Sequence, residues 1–516
     1  ATVLEGTGAG LRTGAKLESA TVAAGGGVRV GAGEAPSILG ATVIGNRARY
    51  GGGLFCGAGS APVVTDCVIE GNTAVESGGG CFLGDLCAAR ISRTRIRGNS
   101  TTAPYLAPWG GGGGVFCGMS CAARIEESLI VENWSPCGGA FLCVAEATPA
   151  LGLCTISGNG VLTESGAIHC ADAAPVLDGC IVWEHVGASI AVDIDSRPAA
   201  TGSCIEGGYA GEGNVDVDPR FCGWEGRLDT YVDAANPAAG DGTEGNPYRE
   251  LAPALAFSYG LAADSPCLGM GVPLVPCPAG ITTSPRIHLA PGTYPIAGLS
   301  LVHGASLVGA APETTIVRGT VFGLAAGALL SNITVTGGTA GGVVVQPGAA
   351  PRIENCIITE NAGSGIACTQ GSAPVIQSCR VIRNDAGSGA GIYAEGASPS
   401  IADCTISENV ADWGGALSCK SGGKAGVVRT AITANWGWSG SGVVSAGASI
   451  ELLECLIIGN MSVDDAGGLQ CYGSPAHPEA AVTAVNCIIA GNSIHGVVVG
   501  DKARVSLVNT TIAQHR

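Results

Sequence analysis

The chain has 516 residues and a formal net charge of −17, with only 13% charged and 4% aromatic residues against 85 glycines and 23 cysteines. An acidic surface repels phosphate backbones and anionic lipid, which excludes nucleic acid and membrane surfaces as partners. No apolar run approaches the roughly 18 residues of a membrane-spanning helix, and glycine-rich phrases alternate with aliphatic triplets, which excludes a disordered low-complexity chain.

Reading from the N-terminus, one phrase recurs: Cys or a small residue, any residue, Ile or Val, two more, then Asn. It appears as ATVIGN ending at Asn46, CVIEGN at Asn72, TRIRGN at Asn99, SLIVEN at Asn133 and CTISGN at Asn159, with a weaker copy that places His185 at the Asn position. The gaps are 26, 27, 34, 26 and 26 residues. About ten residues after each Asn comes a second phrase, GGGLFC at Cys56, GGGVFC at Cys117, GGAFLC at Cys143 and GAIHC at Cys170, which reads as a Gly turn and a strand. A third strand follows a Pro turn, as in APVV after Ser60. Three strands and three turns in about 25 residues are one coil of a parallel β-helix, in which the first and third residues of a triplet such as CVI point inward. A leucine-rich repeat would need a Leu-x-x-Leu-x-Leu frame and helical stretches, and neither is present.

Residues of about 189–228 close this first series, ending in GNVDVDPRFC at Cys222. TYVDAANPAAGDGTEGNPYRELAPAL, from Thr230, then breaks the pattern and reads as a first strand, a DG-rich turn and a capping helix; RIHLAPGTYPI follows as first coils. The second series gives CIITEN at Asn361, CRVIRN at Asn384, CTISEN at Asn409, TAITAN at Asn435, CLIIGN at Asn460 and CIIAGN at Asn492, with His515 as a weak last copy. Its Gly phrases end at Cys368, Cys419 and Cys471. The expected organisation is all-β: a right-handed parallel β-helix solenoid in two tandem domains, 1–228 and 229–516, the second with a capping region of about 229–313. Residues 1–22 repeat 314–335 at a constant offset, so the first domain lacks an opening region and the second lacks a closing one. Open coils are templates for further pairing. The chain is expected either to be a window of a longer tandem protein or to stack head-to-tail into a filament.

IxxN alternating with GGA or GGG resembles the repeats of chlamydial-type polymorphic outer membrane proteins, with Ile in place of Phe, and more broadly the pectate-lyase-like β-helix superfamily. The 230–255 stretch resembles the opening of many secreted bacterial β-helix proteins. The resemblance to polysaccharide lyases and hydrolases implies acidic calcium ligands with an Arg or Lys base, or a pair of carboxylates, along one groove. Here the acids scatter. Asp193, Asp195, Asp216 and Asp218 fall in the closing region and Asp233 and Asp241 in the opening turn, where a turn or calcium-capping role is expected. No catalytic residue, cofactor-binding residue or metal ligand is assigned, and structural calcium is the one cofactor considered.

Asn at one turn of successive coils is expected to form an amide ladder, and Asn also tolerates the left-handed backbone of such turns. Several ladder Asn, such as Asn99, Asn133 and Asn460, stand in Asn-x-Ser/Thr, but ladder positions make poor glycan acceptors. The cysteines argue for oxidised pairs outside the cytoplasm. Forward pairing along the chain gives Cys154–Cys170, Cys356–Cys368, Cys404–Cys419 and Cys455–Cys471; backward pairing gives Cys56–Cys67, Cys143–Cys154 and Cys368–Cys379. Forward leaves fewer orphans, with Cys204–Cys222 and Cys267–Cys277 closing loops, and free buried thiols are the alternative. His169, His185 and His515 are scattered and form no metal pair. Trp134, Trp413, Trp436 and Trp438 follow ladder Asn closely and could line a sugar-binding face or cover the turn. The expected function is an extracellular structural or adhesive surface protein, disulfide-rich, partnered by itself or by surface glycans; the alternative is a polysaccharide lyase or glycosidase acting along a groove.

Overall fold

A computed structural model describes the chain apart from residues 1–2, 6–8, 103–109, 162–164, 186, 225–228, 255–256, 262–264, 273–284, 297–298, 302, 475–476, 478 and 516. Its contacts divide the chain into two compact units, Ala1–Glu225 with Phe257–Thr282, and Gly226–Ala256 with Thr283–Arg516. Each unit is a right-handed parallel β-helix in which a strand pairs with its counterpart one coil away.

In the first unit the aliphatic triplets that lead into the ladder form a nine-stranded sheet, here called the ladder sheet, with strands such as Val68–Glu70, Arg95–Arg97 and Leu129–Val131. Eight strands after the Gly phrases and eight after the Pro turns make two further sheets. Triplet geometry is as the pattern predicts: Cys67 and Ile69 point in and are buried, while Val68 between them faces out. In-register stacking places Val43, Ile69, Ile96, Ile130, Ile156 and Val182 in one interior column. Parallel strands bury both edges, so each coil completes its hydrogen bonds only through its neighbours.

A fourth strand in some of the coils departs from the three-strand expectation. It starts directly after the ladder Asn, as in Arg47–Tyr50 and Thr73–Ser77, and builds a five-stranded sheet in the first unit. The second unit has sheets of eleven, ten, nine and four strands, the four-stranded one in the same place. Its opening is Asp229–Val232, paired with Arg286–Leu289, and a one-turn helix at Leu251–Ala254. Phe257–Leu261 pairs antiparallel with Phe221–Trp224 and belongs to the first unit, so this part of the region expected to cap the second helix groups with the first instead.

The amide ladder is continuous. Asn46, Asn72, Asn99 and Asn133 each donate from Nδ2 to the Oδ1 of the next Asn at 2.9–3.0 Å, and the same atom donates to a backbone carbonyl one coil back. Asn361 through Asn492 repeat this in the second unit at 2.8–3.0 Å. The left-handed backbone lies elsewhere than expected: the residue before each ladder Asn carries it, Gly71 at φ 61°, Glu132 at 58° and Glu408 at 57°. The ladder Asn residues themselves are not left-handed.

The 21 described cysteines are free, buried thiols, so the disulfide-rich expectation is not shown. None of the forward or backward pairs is joined. Cys204 meets Cys267, both thiols donating toward the Val217 carbonyl. Cys277 and the side chain of Cys222, expected as their partners, lie outside the described residues.

Candidate functional site

The short sheet after the ladder in the second unit carries a ridge of exposed apolar side chains. Asn409, Asn435 and Asn460 fix the start of its strands, and Ala411, Gly437 and Ser462 take the inward positions because only small groups fit there. The alternate positions therefore face out. Val410, Trp436 and Met461 stand in one register column, Trp438 lies two residues further along its strand, and Val463 follows the end of the last one. Trp413 is 52% exposed, Trp436 37% and Trp438 53%, far above what indole rings show in a core.

Polar groups flank the ridge. Ser388, in register with Trp413, accepts a hydrogen bond from Lys420 Nζ at 2.8 Å, and the same ammonium lies 5.3 Å from the Tyr393 ring centroid. The Tyr393 hydroxyl donates to Glu395 at 2.7 Å. Burial pulls the Lys420 pKa down, and Glu395 opposes this. Asp465 accepts from Gln470 Nε2 at 2.6 Å and from Ser439 at 3.3 Å beside the Trp column. Flat apolar faces bordered by carboxylates, hydroxyls and an ammonium can stack on a sugar ring and hydrogen-bond its hydroxyls.

Trp134 does not join this ridge. It lies in the first unit, buried, with its ring against Gly160 of the next coil. His169 is half-buried with Nδ1 3.0 Å from Ser165 Oγ, and burial lowers its pKa. His185 ends the first ladder, accepting from the Asn159 N–H at 3.3 Å; burial lowers its pKa to about 4. The acids singled out in the sequence hold turns: Asp193 accepts from Ser196 Oγ at 2.7 Å and from the N–H groups of Asp172, Asp195 and Ser196, Asp216 from Gly207, Asp218 from Arg220, Asp233 from Ala235 and Asp241 from Thr243. Hydrogen bonding by Ser196 keeps the Asp193 carboxyl below its usual range. Among the described residues no three His, Cys, Asp or Glu side chains come together as a metal site.

Two features of the first unit lie outside the repeat pattern. The arginines of ARISRTRIRGN meet the ladder sheet at a groove of about 380 Å³, lined by Arg93, Thr94, Arg95, Leu129, Asp66 and Glu127. Arg93 is paired with Asp66 at 2.8 and 3.1 Å, and this pairing lowers the Asp66 pKa. Beside it, the buried Glu132 accepts from Arg97 Nε at 2.9 Å and from the Tyr259 hydroxyl at 2.7 Å. Gly271 and Val272 donate to Gly179 and Thr155 at 2.7 and 3.0 Å, so the returning segment lies against the outer face of the ladder sheet. The run of four arginines within eight residues was the available signal for the groove. Nothing in the sequence linked Tyr259 to Glu132, 127 positions away.

Residues 317–424 match the family described as right handed beta helix region. Among solved structures the chain is similar to pectate lyase Pel9A, with 14% identity, 56% of this chain and 79% of that chain covered, and a TM-score of 0.36. It is also similar to the PL6 family alginate lyase AlyGC, at 11% identity, coverage of 99% and 96%, and a TM-score of 0.25. For the A-module of the Azotobacter vinelandii mannuronan C-5 epimerase AlgE4, identity is 9%, coverage 95% and 87%, and the TM-score 0.16. No curated protein matches the sequence.

Proposed function

We propose that the chain is an extracellular structural and adhesive β-helix whose second unit holds neutral glycan on its Trp ridge. The observation that carries this reading is the exposure of Trp413, Trp436 and Trp438 together on one short sheet, edged by Asp465, Ser388 and Lys420. Three indoles left in water cost burial that a soluble rod would otherwise recover, and a sugar face recovers it. The test is retention of the full chain on cellulose, chitin and other neutral polysaccharides, with Trp436→Ala and Trp438→Ala beside it. Each variant should lose about tenfold or more in affinity while keeping its fold, as buried aromatic anchors do. Absence of retention on every neutral glycan, or retention unchanged in both variants, overturns the reading.

A repeated coil that stacks on copies of itself makes a further copy, or a tandem neighbour, the partner proposed for assembly. Electron microscopy of the purified chain should then show rods longer than one molecule; uniform single rods at all concentrations overturn that part.

A second reading, a polysaccharide lyase or glycosidase, is favoured by the Arg93–Arg95 groove with Asp66 and Glu127 at its edge. Incubation with pectin and alginate, followed for unsaturated ends and new reducing ends, tests it. Product formation abolished by Arg95→Ala supports this reading; no product from any acidic glycan removes it.

A further inference from the structure

The residue that opens each ladder-sheet strand sits in a turn whose chemistry runs from coil to coil. Its backbone N–H donates to the side chain at the same place in the next coil: Cys67 to Thr94 at 3.4 Å, Thr94 to Ser128 at 3.1 Å, and Cys180 to Ser203 at 3.0 Å. In the second unit Cys379 donates to Cys404 Sγ and Cys455 to Cys487 Sγ, both at 3.4 Å. Each side chain in turn donates to the carbonyl two residues back, Thr94 to Ser92 at 2.9 Å and Cys487 to Val485 at 3.3 Å. Cys, Ser and Thr are therefore interchangeable for this turn's hydrogen bonds. Where the next coil also carries Cys, two thiols face each other along the stack.

We infer that this column is a site of oxidation, in which cystines join adjacent coils at Cys154–Cys180, at Cys455–Cys487, and between Cys379 and one of its two neighbours, Cys356 or Cys404. The flanking strands pair in register, Thr155 with Ile181 and Leu456 with Ile488, so the preceding cysteines are separated by about the inter-strand spacing of 4.7–4.9 Å. That lies inside the Cα window of a disulfide, and the Cβ atoms, at a similar spacing, must approach by about 1 Å to reach the usual separation of about 3.8 Å. The thiols already perturb one another: burial and then the Cys180 contact raise Cys154, while Cys154 lowers Cys180, and contact raises Cys455 and lowers Cys487. The along-chain partners expected from sequence, such as Cys170 for Cys154, belong to a different sheet and lie in a different column.

The oxidant is a low-molecular-weight disulfide. One of its sulfurs is attacked by a cysteine thiolate, the mixed disulfide is resolved by the thiolate of the neighbouring coil, and two small thiols leave with the two electrons and two protons. The thiols are buried once the coils stack, so the exchange belongs to folding. Such surroundings accord with the extracellular reading above, but the inference rests on the column and not on location, and the test supplies its own oxidant.

The full chain, unfolded in denaturant with reductant, is refolded either in a mixture of oxidised and reduced glutathione or under reductant alone. Unfolded samples are then alkylated, digested without reduction and mapped by mass spectrometry. Bridged peptides are expected for Cys154–Cys180, Cys455–Cys487 and Cys379, with Cys67, which faces Thr94, alkylated. The oxidised chain should unfold at higher urea than the reduced one, and the difference should shrink in Cys455→Ser, a variant expected to fold because Ser128 and Ser203 already occupy this slot. Complete alkylation after oxidative refolding, or bridges within one coil such as Cys154–Cys170, overturns the inference.

Discussion

Replacing Asn409 with Ala removes one rung from the second ladder. Its Oδ1 accepts from the backbone N–H and from Nδ2 of Asn384, each at 3.0 Å, and its Nδ2 donates to the Val381 carbonyl at 2.9 Å and to Asn435 Oδ1 at 3.0 Å. The damage is uneven. Asn384 Nδ2 keeps its bonds to Ile358 and Ile382, and Asn435 Oδ1 keeps the bond from the backbone N–H of residue 409. The backbone N–H of Asn384 and the Val381 carbonyl lose these partners in a site shut from water. At about 1–3 kcal/mol for each orphaned buried group, with a small cavity term added, the substitution should cost about 3–5 kcal/mol. Urea unfolding of the full chain followed by circular dichroism reads this, with Trp436→Ala as the comparison, since removing an exposed ring should change stability by less than about 1 kcal/mol. If Asn409→Ala unfolds within about 1 kcal/mol of the parent chain, the amides do not hold the coils together, and the stack rests on backbone pairing and apolar columns alone.

Two glycines should separate steric from conformational need. A Cβ at Gly391 would lie 2.3 Å from the Ala416 carbonyl oxygen of the next coil, so Gly391→Ala should cost about 3 kcal/mol or more, whereas Gly459, at φ 68° with open space around it, should cost only about 1–2 kcal/mol as Ala; equal losses in urea would refute the distinction. His185 is neutral when folded because its pKa falls to about 4 from the usual 6.5, so stability held above pH 6.5 is lost as pH falls toward 4. His185→Asn, which restores the ladder residue, should reduce the loss between pH 7 and pH 4.5 by about 1–2 kcal/mol, discounted because part of the ring is exposed; identical pH profiles would refute it. Tyr259→Phe leaves the buried Glu132 short of the donor now 2.7 Å away, which should lower the stability of the first unit by about 1.5–3 kcal/mol in the same urea assay; an unchanged midpoint would refute it.

The repeating parts of this fold are the legible ones. Each IxxN phrase places an inward aliphatic residue and an inward Asn at one spot of the coil, and eleven copies agree. The fourth strand had no such signature. RARY, TAVES and WGWS share only their position after Asn, since outward residues are free to vary and the inward ones are merely small. The left-handed residue was placed on Asn through its general tolerance for that region, but the turn assigns it to the preceding position and accepts the strain even for Glu132, Glu360 and Glu408. Nearness along the chain favours Cys154 with Cys170, whereas the fold stacks the Cys154 thiol toward that of Cys180, one coil on.

Trp134 and Trp436 show what a one-dimensional pattern leaves out. Both follow a ladder Asn directly, both open the short strand of their coil, and in sequence they occupy the same slot. One is 1% exposed and the other 37%. What differs is the next coil. Trp134 pairs with Gly160, whose missing side chain lets the indole lie against the backbone, so a Cβ there would come within 2.3 Å of the ring. Trp436 pairs with Met461, itself 59% exposed, and meets no glycine gap of the kind that receives Trp134. In a stack with a spacing near 4.8 Å, the residue one period later governs burial as strongly as the residue's own hydropathy. Gly160→Met should therefore expel the Trp134 ring, visible as a red shift of its fluorescence, and Met461→Gly should draw Trp436 inward and weaken the glycan retention proposed for the ridge.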